Sequence, residues 1–344
     1  MASYQDLKRY AALTPQDPDF EPDKANWVAE GLLRLRTQIR NSALGQRKAG
    51  NLVIGSWNIR AFDDGRPRRD ESFHYIAEII DHFDICAVQE IKDDLAPLQR
   101  LVGLLGPNWD YFVTDVTSGN AGNSERQAFL YNTNKVQFRN LVGEVVLDDK
   151  NLLKGKQFAR TPFLASFQAD WFRFTLMSVH IIFAGTKAAE KKKRAAEVRA
   201  LAKIAAKRAK KDDQVYVMIG DMNIDATDDA IMAGMTDNHM VAPVFGPTNL
   251  KGTKFFDQIA FTSRPKKTRL VQSGAIDWRE SVFRPGDKDH YEPIAIAARD
   301  GKAYKNWNTS YENSFMSFEM SDHLPIWVEI ETDYSDEYLA RFVE

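Results

Sequence analysis

Met320-Ser321-Asp322-His323-Leu324-Pro325-Ile326-Trp327 is the stretch on which the reading of this chain turns. Asp322 and His323 stand side by side, just ahead of Leu-Pro and the apolar run Ile326, Trp327, Val328. A short run rich in β-branched and aromatic residues reads as a strand. Two titratable side chains are therefore expected at the mouth of a rigid element. Pro325 biases Leu324 toward extended backbone and stiffens the approach. An Asp-His pair in a turn is common in itself. This one gains weight because polar residues end other apolar runs of the chain in the same way.

Leu52 to Trp57 reads as a strand that ends at Asn58, and Asp84 to Gln89 as one that ends at Glu90. Phe172 to Val179 ends at His180, Val215 to Gly220 ends at Asp221, and Phe255 to Phe261 carries Asp257 within it. Further strand patterns lie at 111–114, 127–131, 136–147 and 163–167. Helical spacing runs through 23–42, 70–83 and 95–105, the last stopped by Gly106-Pro107, and through the Ala-rich segment 187–211. Consecutive strands mixed with amphipathic helices predict an α/β sandwich rather than a strict βα barrel.

The chain of 344 residues, 44% hydrophobic, is long enough for a large buried core. Its net charge of −2 supplies no global field, so any polyanion binding must come from local clusters of Lys and Arg. Cys86, the single cysteine, lies in an apolar stretch and reads as a buried inert thiol. The first residues lack the apolar core of a secretory signal, and no run approaches the roughly 20 apolar residues of a membrane span. A cytoplasmic location without membrane contact is the expectation, and no protein partner is evident.

Four amide, carboxylate and imidazole groups at the ends of apolar runs point to one polar cleft at a sheet edge, with His323 and Asp257 joining from neighbouring strands. Glu90 is a candidate ligand for a hard cation, because Mg²⁺ takes one or two protein carboxylates and fills its remaining sites with water and phosphate oxygens. Asp221 and Asn223 alternate, so extended backbone would place both side chains on one face.

Trp57-Asn58-Ile59-Arg60, Gln89-Glu90-Ile91, Ser178-Val179-His180, Gly220-Asp221-Met222-Asn223, Phe256-Asp257-Gln258-Ile259 and Ser321-Asp322-His323-Leu324-Pro325 occur in that order. The set resembles the ordered motifs of the endonuclease/exonuclease/phosphatase superfamily, the DNase I-like fold. Ser124-Glu125-Arg126 and Phe158-Ala159-Arg160-Thr161-Pro162 resemble its DNase I branch in particular. The resemblance covers about residues 50–332 and implies a four-layered α/β sandwich of two mixed β-sheets flanked by helices. It divides the chain into a helical extension (1–48), a catalytic domain (49–334) and a tail (335–344).

It further implies hydrolysis of a phosphate ester by in-line attack of water. His323, oriented by Asp257, would act as general base, and His180, held by Glu125, would donate to the leaving or non-bridging oxygen, although the two labels are interchangeable at this level. Glu90 with Asn58 would hold Mg²⁺ (or Mn²⁺ in its place), and Asp322 would assist the metal or His323. Asp221 and Asn223 would position water and phosphate, and Arg160 would bind phosphate. The expected substrate is nucleic acid, DNA before RNA. An inositol phosphate or phospholipid is the alternative, and a silent binding protein the third reading.

Two segments carry no motif. The helix 187–211 holds eight lysines, three arginines and two glutamates. It reads as a solvated outer helix, or as a phosphate-tracking surface through Lys191, Lys192, Lys193 and Arg194. Residues 265–320 form an aromatic and charged insertion that either stacks on bases or packs as a peripheral layer. In the extension, Trp27, Leu32, Leu33, Leu35 and Ile39 supply an apolar stripe. His74, His82, His239 and His290 read as core or surface histidines.

Overall fold

Long apolar strands need cover on both faces, and here each sheet has a sheet on one side and helices on the other. The computed structural model describes residues 2–343 apart from 18–19, 63–65, 117–123, 184, 228 and 264–267. Helices α1 (Asp6–Ala12) and α2 (Lys24–Asn41) lead into β1 (Leu52–Phe62), α3 (Asp70–Ile80), β2 (Ile85–Ile91) and α4 (Ala96–Leu105). Four strands follow, β3 (Trp109–Val113), β4 (Arg126–Asn132), β5 (Gln137–Glu144) and β6 (Phe163–Ala169). Next come β7 (Phe172–His180), α5 (Ala188–Asp212), β8 (Val215–Asp221), α6 (Ala230–Thr236) and the two-residue β9 (Met240–Val241). Then come β10 (Asp257–Thr262), β11 (Arg269–Ala275), α7 (Lys288–Ala297), α8 (Trp307–Ser310), α9 (Met316–Glu319), β12 (Ile326–Glu331) and α10 (Ser335–Ala340).

One sheet has the order β11-β12-β1-β2-β4-β3 and the other β5-β6-β7-β8-β10-β9. Each contains a single parallel pair, β1–β2 and β7–β8, among antiparallel neighbours. The inner faces meet through Ile54, Phe129 and Val328 on one side and Phe167, Leu176 and Val217 on the other. Helices α2 to α4 and the 276–320 segment cover the first sheet, and α5 and α6 cover the second. This is the four-layered sandwich expected from the motif order. Close packing decides individual residues: a β-carbon on Gly55 would lie 2.3 Å from the Phe83 ring.

Topology also gathers the polar residues. The parallel strands β1, β2, β7 and β8 run toward one edge, and the antiparallel strands β10 and β12 begin there, with Asp257 opposite Asp221 and Ile326 opposite Ser56. Asn58 departs from expectation. The apolar run stops there, but β1 continues to Phe62, so Asn58 sits inside the strand rather than at its end.

The segment 265–320 contains a strand of the first sheet, β11, paired with β12. Its aromatic remainder is mostly core: Trp278, Tyr291 and Tyr311 are buried. The N-terminal extension locks onto it. Trp27 stacks on His290 at 3.6 Å and donates its indole N–H to Tyr291 at 3.0 Å, and Arg34 donates to the Ser281 carbonyl at 2.9 Å. Val28, Leu32, Leu35 and Ile39 form the buried stripe of α2, whereas Leu33, off that spacing, faces solvent.

Candidate active site

At the shared edge, two histidines approach one carboxylate. His180 Nε2 lies 3.5 Å and His323 Nε2 3.8 Å from Asp221 Oδ2. Each imidazole is backed on its other nitrogen. His323 Nδ1 is 2.8 Å from Asp257 Oδ2, and His180 Nδ1 is 3.1 Å from Glu125 Oε2. Asp257 Oδ2 also accepts from the Thr248 hydroxyl at 2.6 Å, which fixes the carboxylate. Glu125 faces Arg160 Nε at 3.1 Å and Lys92 Nζ at 3.5 Å. All four expected partners of these two arms, His323 with Asp257 and His180 with Glu125, thus come together.

Asn58 bridges the arms: its amide N–H₂ donates to Glu90 Oε1 at 3.0 Å and to Asp221 Oδ2 at 3.2 Å. Glu90 Oε2 accepts the backbone N–H of Ala61 at 2.8 Å, and its Oε1 lies 3.9 Å from His180 Nε2. Glu90 adopts φ +63°, a left-handed backbone unusual for a residue with a side chain. The β1–β2 and β2–β4 registers both shift beside it, so its side chain is re-aimed by a strand irregularity.

Burial and neighbouring charges set the protonation states. Burial alone would depress the His323 imidazolium, but the carboxylates of Asp257 and Asp221 overcome it and hold the group well above its ordinary pKa. Burial raises the Asp221 carboxyl despite the opposing pull of His323 and His180. Burial also pushes Glu90 upward, yet His180, the Ala61 N–H and the Asn58 amide outweigh it and keep Glu90 below the usual carboxylate range.

One expectation needs correction. Asn223 does not continue an extended strand: β8 ends at Asp221, and Asn223 turns to φ +52°. Its backbone N–H caps Asp221 Oδ1 at 2.8 Å and its side chain donates to the Ile181 carbonyl at 2.6 Å, so a turn rather than alternation brings it to the site. Asp322 is half-buried beside His323, but among the described residues it belongs to neither cluster of possible metal ligands, Glu90-Glu125-His180 or Asp221-Asp257-His323.

Sequence reading also missed the supporting residues. Ser178 on β7 donates to Gln127 Oε1 on β4 at 2.6 Å and accepts from Gln89 on β2 at 3.2 Å, a buried link between the sheets under Glu90, Glu125 and His180. Ser321 donates to the Asn58 carbonyl at 2.5 Å and accepts the His323 N–H at 3.0 Å. Gln89, Ser178 and Ser321 stood inside the quoted motifs, and their polarity amid apolar runs was the available signal.

A hard cation fits this edge. Asn58 Oδ1 is buried without a hydrogen-bond partner among the described residues, and the Glu90 carboxylate is held ionised next to it. That pair of oxygen donors suits a divalent ion that completes its shell with water and phosphate.

Two histidine–carboxylate arms, a carboxylate between them and an oxygen-donor pair, carried on a two-sheet sandwich, define a phosphate-ester hydrolase of the DNase I-like fold. The chain belongs to the endonuclease/exonuclease/phosphatase family, whose profile it matches over residues 55–271. Among solved structures it is similar to a family protein from Bacteroides thetaiotaomicron, with TM-score 0.56 and 19% identity over 83% of this chain and 99% of that one. A mannosyl-6-phosphatase of the same organism gives TM-score 0.53 and 17% identity over 81% and 99%. D. rerio TDP2 complexed with a single-stranded DNA product gives 0.51 and 13% over 81% and 98%. Identities this low speak to the fold alone. By sequence, 90 residues are 30% identical to deoxyribonuclease-1 of Equus caballus and 31% to that of Bos taurus. The match covers 25% of this chain and 32% of those proteins, so it spans about a third of their length. Among the described residues no helix is long and apolar enough to cross a membrane.

Proposed function

We propose that this chain is a metal-dependent nuclease that hydrolyses the phosphodiester backbone of DNA. The observation that carries the reading is the pair of imidazoles facing one buried carboxylate, each backed by its own acid. In-line hydrolysis needs a group to take a proton from water on one side of phosphorus and a group to stabilise the departing oxygen on the other. His323 serves the first role. The carboxylates that raise its pKa, Asp257 and Asp221, are those that stabilise the imidazolium formed when it accepts a proton. Asp221 and Asn223 hold the attacking water within reach of His323 Nε2. His180, oriented by Glu125, hydrogen-bonds the leaving or non-bridging oxygen, and Arg160 adds positive charge to the phosphate side.

Glu90 and Asn58 would hold Mg²⁺ or Mn²⁺, with Asp322 as an outer neighbour; when bound, the ion offsets charge developing on the phosphoryl oxygens. DNA is favoured over a small phosphate ester by the Glu125–Arg160 arm, which resembles the DNase I branch, and by the local similarity to deoxyribonuclease-1. A cytoplasmic location remains part of this reading.

The test is a product assay with Mg²⁺ on plasmid, single-stranded oligonucleotide, RNA and inositol phosphates. Plasmid nicking that is lost in chelator and falls by about 10²–10⁴-fold in His323→Ala, with DNA affinity nearly unchanged, is the expected result. Rapid turnover of an inositol phosphate with no cleavage of DNA or RNA would overturn the substrate assignment.

A further inference from the structure

The charge on this molecule is unevenly distributed. Residues 187–211, essentially α5, carry eight lysines and three arginines against two glutamates, a net +9 on a chain whose total is −2. The rest of the protein therefore carries a net −11, and this helix concentrates positive charge. The half of α5 next to the catalytic edge is partly neutralised. Lys191 and Arg194 both pair with Asp225, at 2.9 and 3.2 Å, and Arg194 is fully buried. They are not the free phosphate contacts suggested by the sequence.

The distal half differs. Lys203, Lys207, Lys210 and Lys211 recur at helical spacing on one exposed face, and among the described residues none makes an ion pair. With Asn238 and His239 from the turn after α6 they line an open groove of about 590 Å³. The acid nearest them in the groove, Asp237, is already engaged by Arg199 at 3.0 Å. Only Lys210 and Lys211 lie in the last turn, where the helix dipole by itself favours cations. Lys203 and Lys207 need another reason, because like charges one turn apart destabilise a helix.

We propose that this face of α5 is a docking surface for the phosphate backbone of duplex DNA, separate from the catalytic edge. It rests on the nucleic-acid reading above and adds to it a second point of attachment. From Lys192 to Lys211 the exposed cations extend about 28 Å along the helix, close to one turn of duplex. A rigid linear array of ammonium groups complements a regularly charged rod. An anionic membrane is the poorer occupant. A helix that lies on lipid needs an apolar face to insert, and the apolar face of α5, Val198, Leu201, Ala202 and Ala205, is buried in the protein. Holding a polymer here raises its effective concentration at the catalytic edge and leaves a small diester unaffected.

The experiment compares wild type with K203E/K207E/K210E and with a charge-matched control, K8E/K302E/K305E, whose lysines are also exposed. Binding to a 30-base-pair duplex is followed by anisotropy across a salt series in chelator. Turnover of bis(p-nitrophenyl) phosphate and of plasmid is measured with Mg²⁺. The groove variant should bind duplex at least tenfold more weakly, with a salt slope shallower by about two to three. Its plasmid kcat/KM should fall in proportion, with small-diester turnover unchanged and the control behaving as wild type. Equal losses in variant and control, or no loss in the groove variant, overturn the docking surface and leave the nuclease reading intact. Lysine-dependent duplex binding by a protein that cuts no DNA does the reverse. Lysine-dependent binding to phosphatidylserine vesicles with none to duplex would also overturn it.

Discussion

Glu197 is a carboxylic acid in the wrong solvent, and its replacement by glutamine should make the protein more stable as the pH rises. It lies on the inner face of α5, 8% exposed, and among the described residues its one hydrogen bond is a long one, from the Ala159 N–H to Oε1 at 3.3 Å. Burial raises its pKa to about 7 from an ordinary 4.5, against the smaller pull of that N–H and of Arg160. Because the folded pKa is the higher one, the fold binds this proton more tightly than the unfolded chain does. The favourable contribution is therefore complete below about pH 4.5 and is lost as pH rises toward and through 7. Integrated from pH 5 to pH 8, the loss is about 2.5 kcal/mol. With an unfolding entropy of about 0.7 kcal/mol/K for a chain of this length, that corresponds to about 3–4 °C in Tm. Glutamine keeps the acceptor and cannot ionise. Thermal melts of wild type and Glu197→Gln, taken in parallel from pH 5 to pH 8, should nearly coincide at the acid end and separate by that amount at the alkaline end, with the variant higher. Other titrating groups are common to both proteins and cancel. Parallel curves, or a variant that loses stability at pH 8, would show that Glu197 is solvated or paired and would refute the reasoning.

Glu90→Gln should keep the fold and lose most of the rate; calorimetric Mg²⁺ titration should weaken sharply, and full activity of this variant in chelator would remove the metal from the mechanism. Asp257→Asn takes away the strongest support of the His323 imidazolium, so the acid limb of the kcat/KM profile should move to lower pH while the rate drops by about 10²–10⁴-fold; an unmoved limb would assign it to another group. Gly55→Ala drives a methyl group into the Phe83 ring and should cost about 1–3 kcal/mol or more in denaturant unfolding, with partial rescue by Phe83→Leu. A chain begun at Gly50 should retain the Mg²⁺ titration of the full protein but aggregate, because the surface under Val28, Leu32, Leu35 and Ile39 is uncovered; normal Mg²⁺ binding without turnover in a folded truncation would bring the extension into the catalytic machinery.

The candidate site was largely legible because several of its residues interrupt an apolar run at a strand boundary, a local signal that survives without coordinates. His180, Asp221, Asp257 and His323 are of this kind. What was illegible depends on partners distant in sequence. Nothing near Lys191 or Arg194 announces Asp225, about thirty residues on, yet that carboxylate pairs with both of them. The Gln89–Ser178–Gln127 link joins strands of different sheets and has no spacing that could reveal it. The strand β11 escaped notice because an edge strand in a half-exposed setting needs no continuous apolar run, and its Gly274 packs closely on the Trp327 ring, which lies 3.2 Å from where a β-carbon would sit. Asn223 comes to lie beside Asp221 for a reason other than the one expected, since a left-handed turn does what extended alternation was expected to do.

The backbone of Glu90 has a bearing on how this protein could be engineered. At φ +63° a glutamate carries a steric penalty of about 1 kcal/mol that glycine would not. Selection on melting temperature alone would thus weigh that strain against the hydrogen bonds from Asn58 and Ala61, and on the proposed mechanism any Glu90→Gly variant it enriched would lack the metal-holding carboxylate. Stability screens on this scaffold need an activity gate at that one codon, because there the residue that best suits the backbone is the one that deletes the carboxylate.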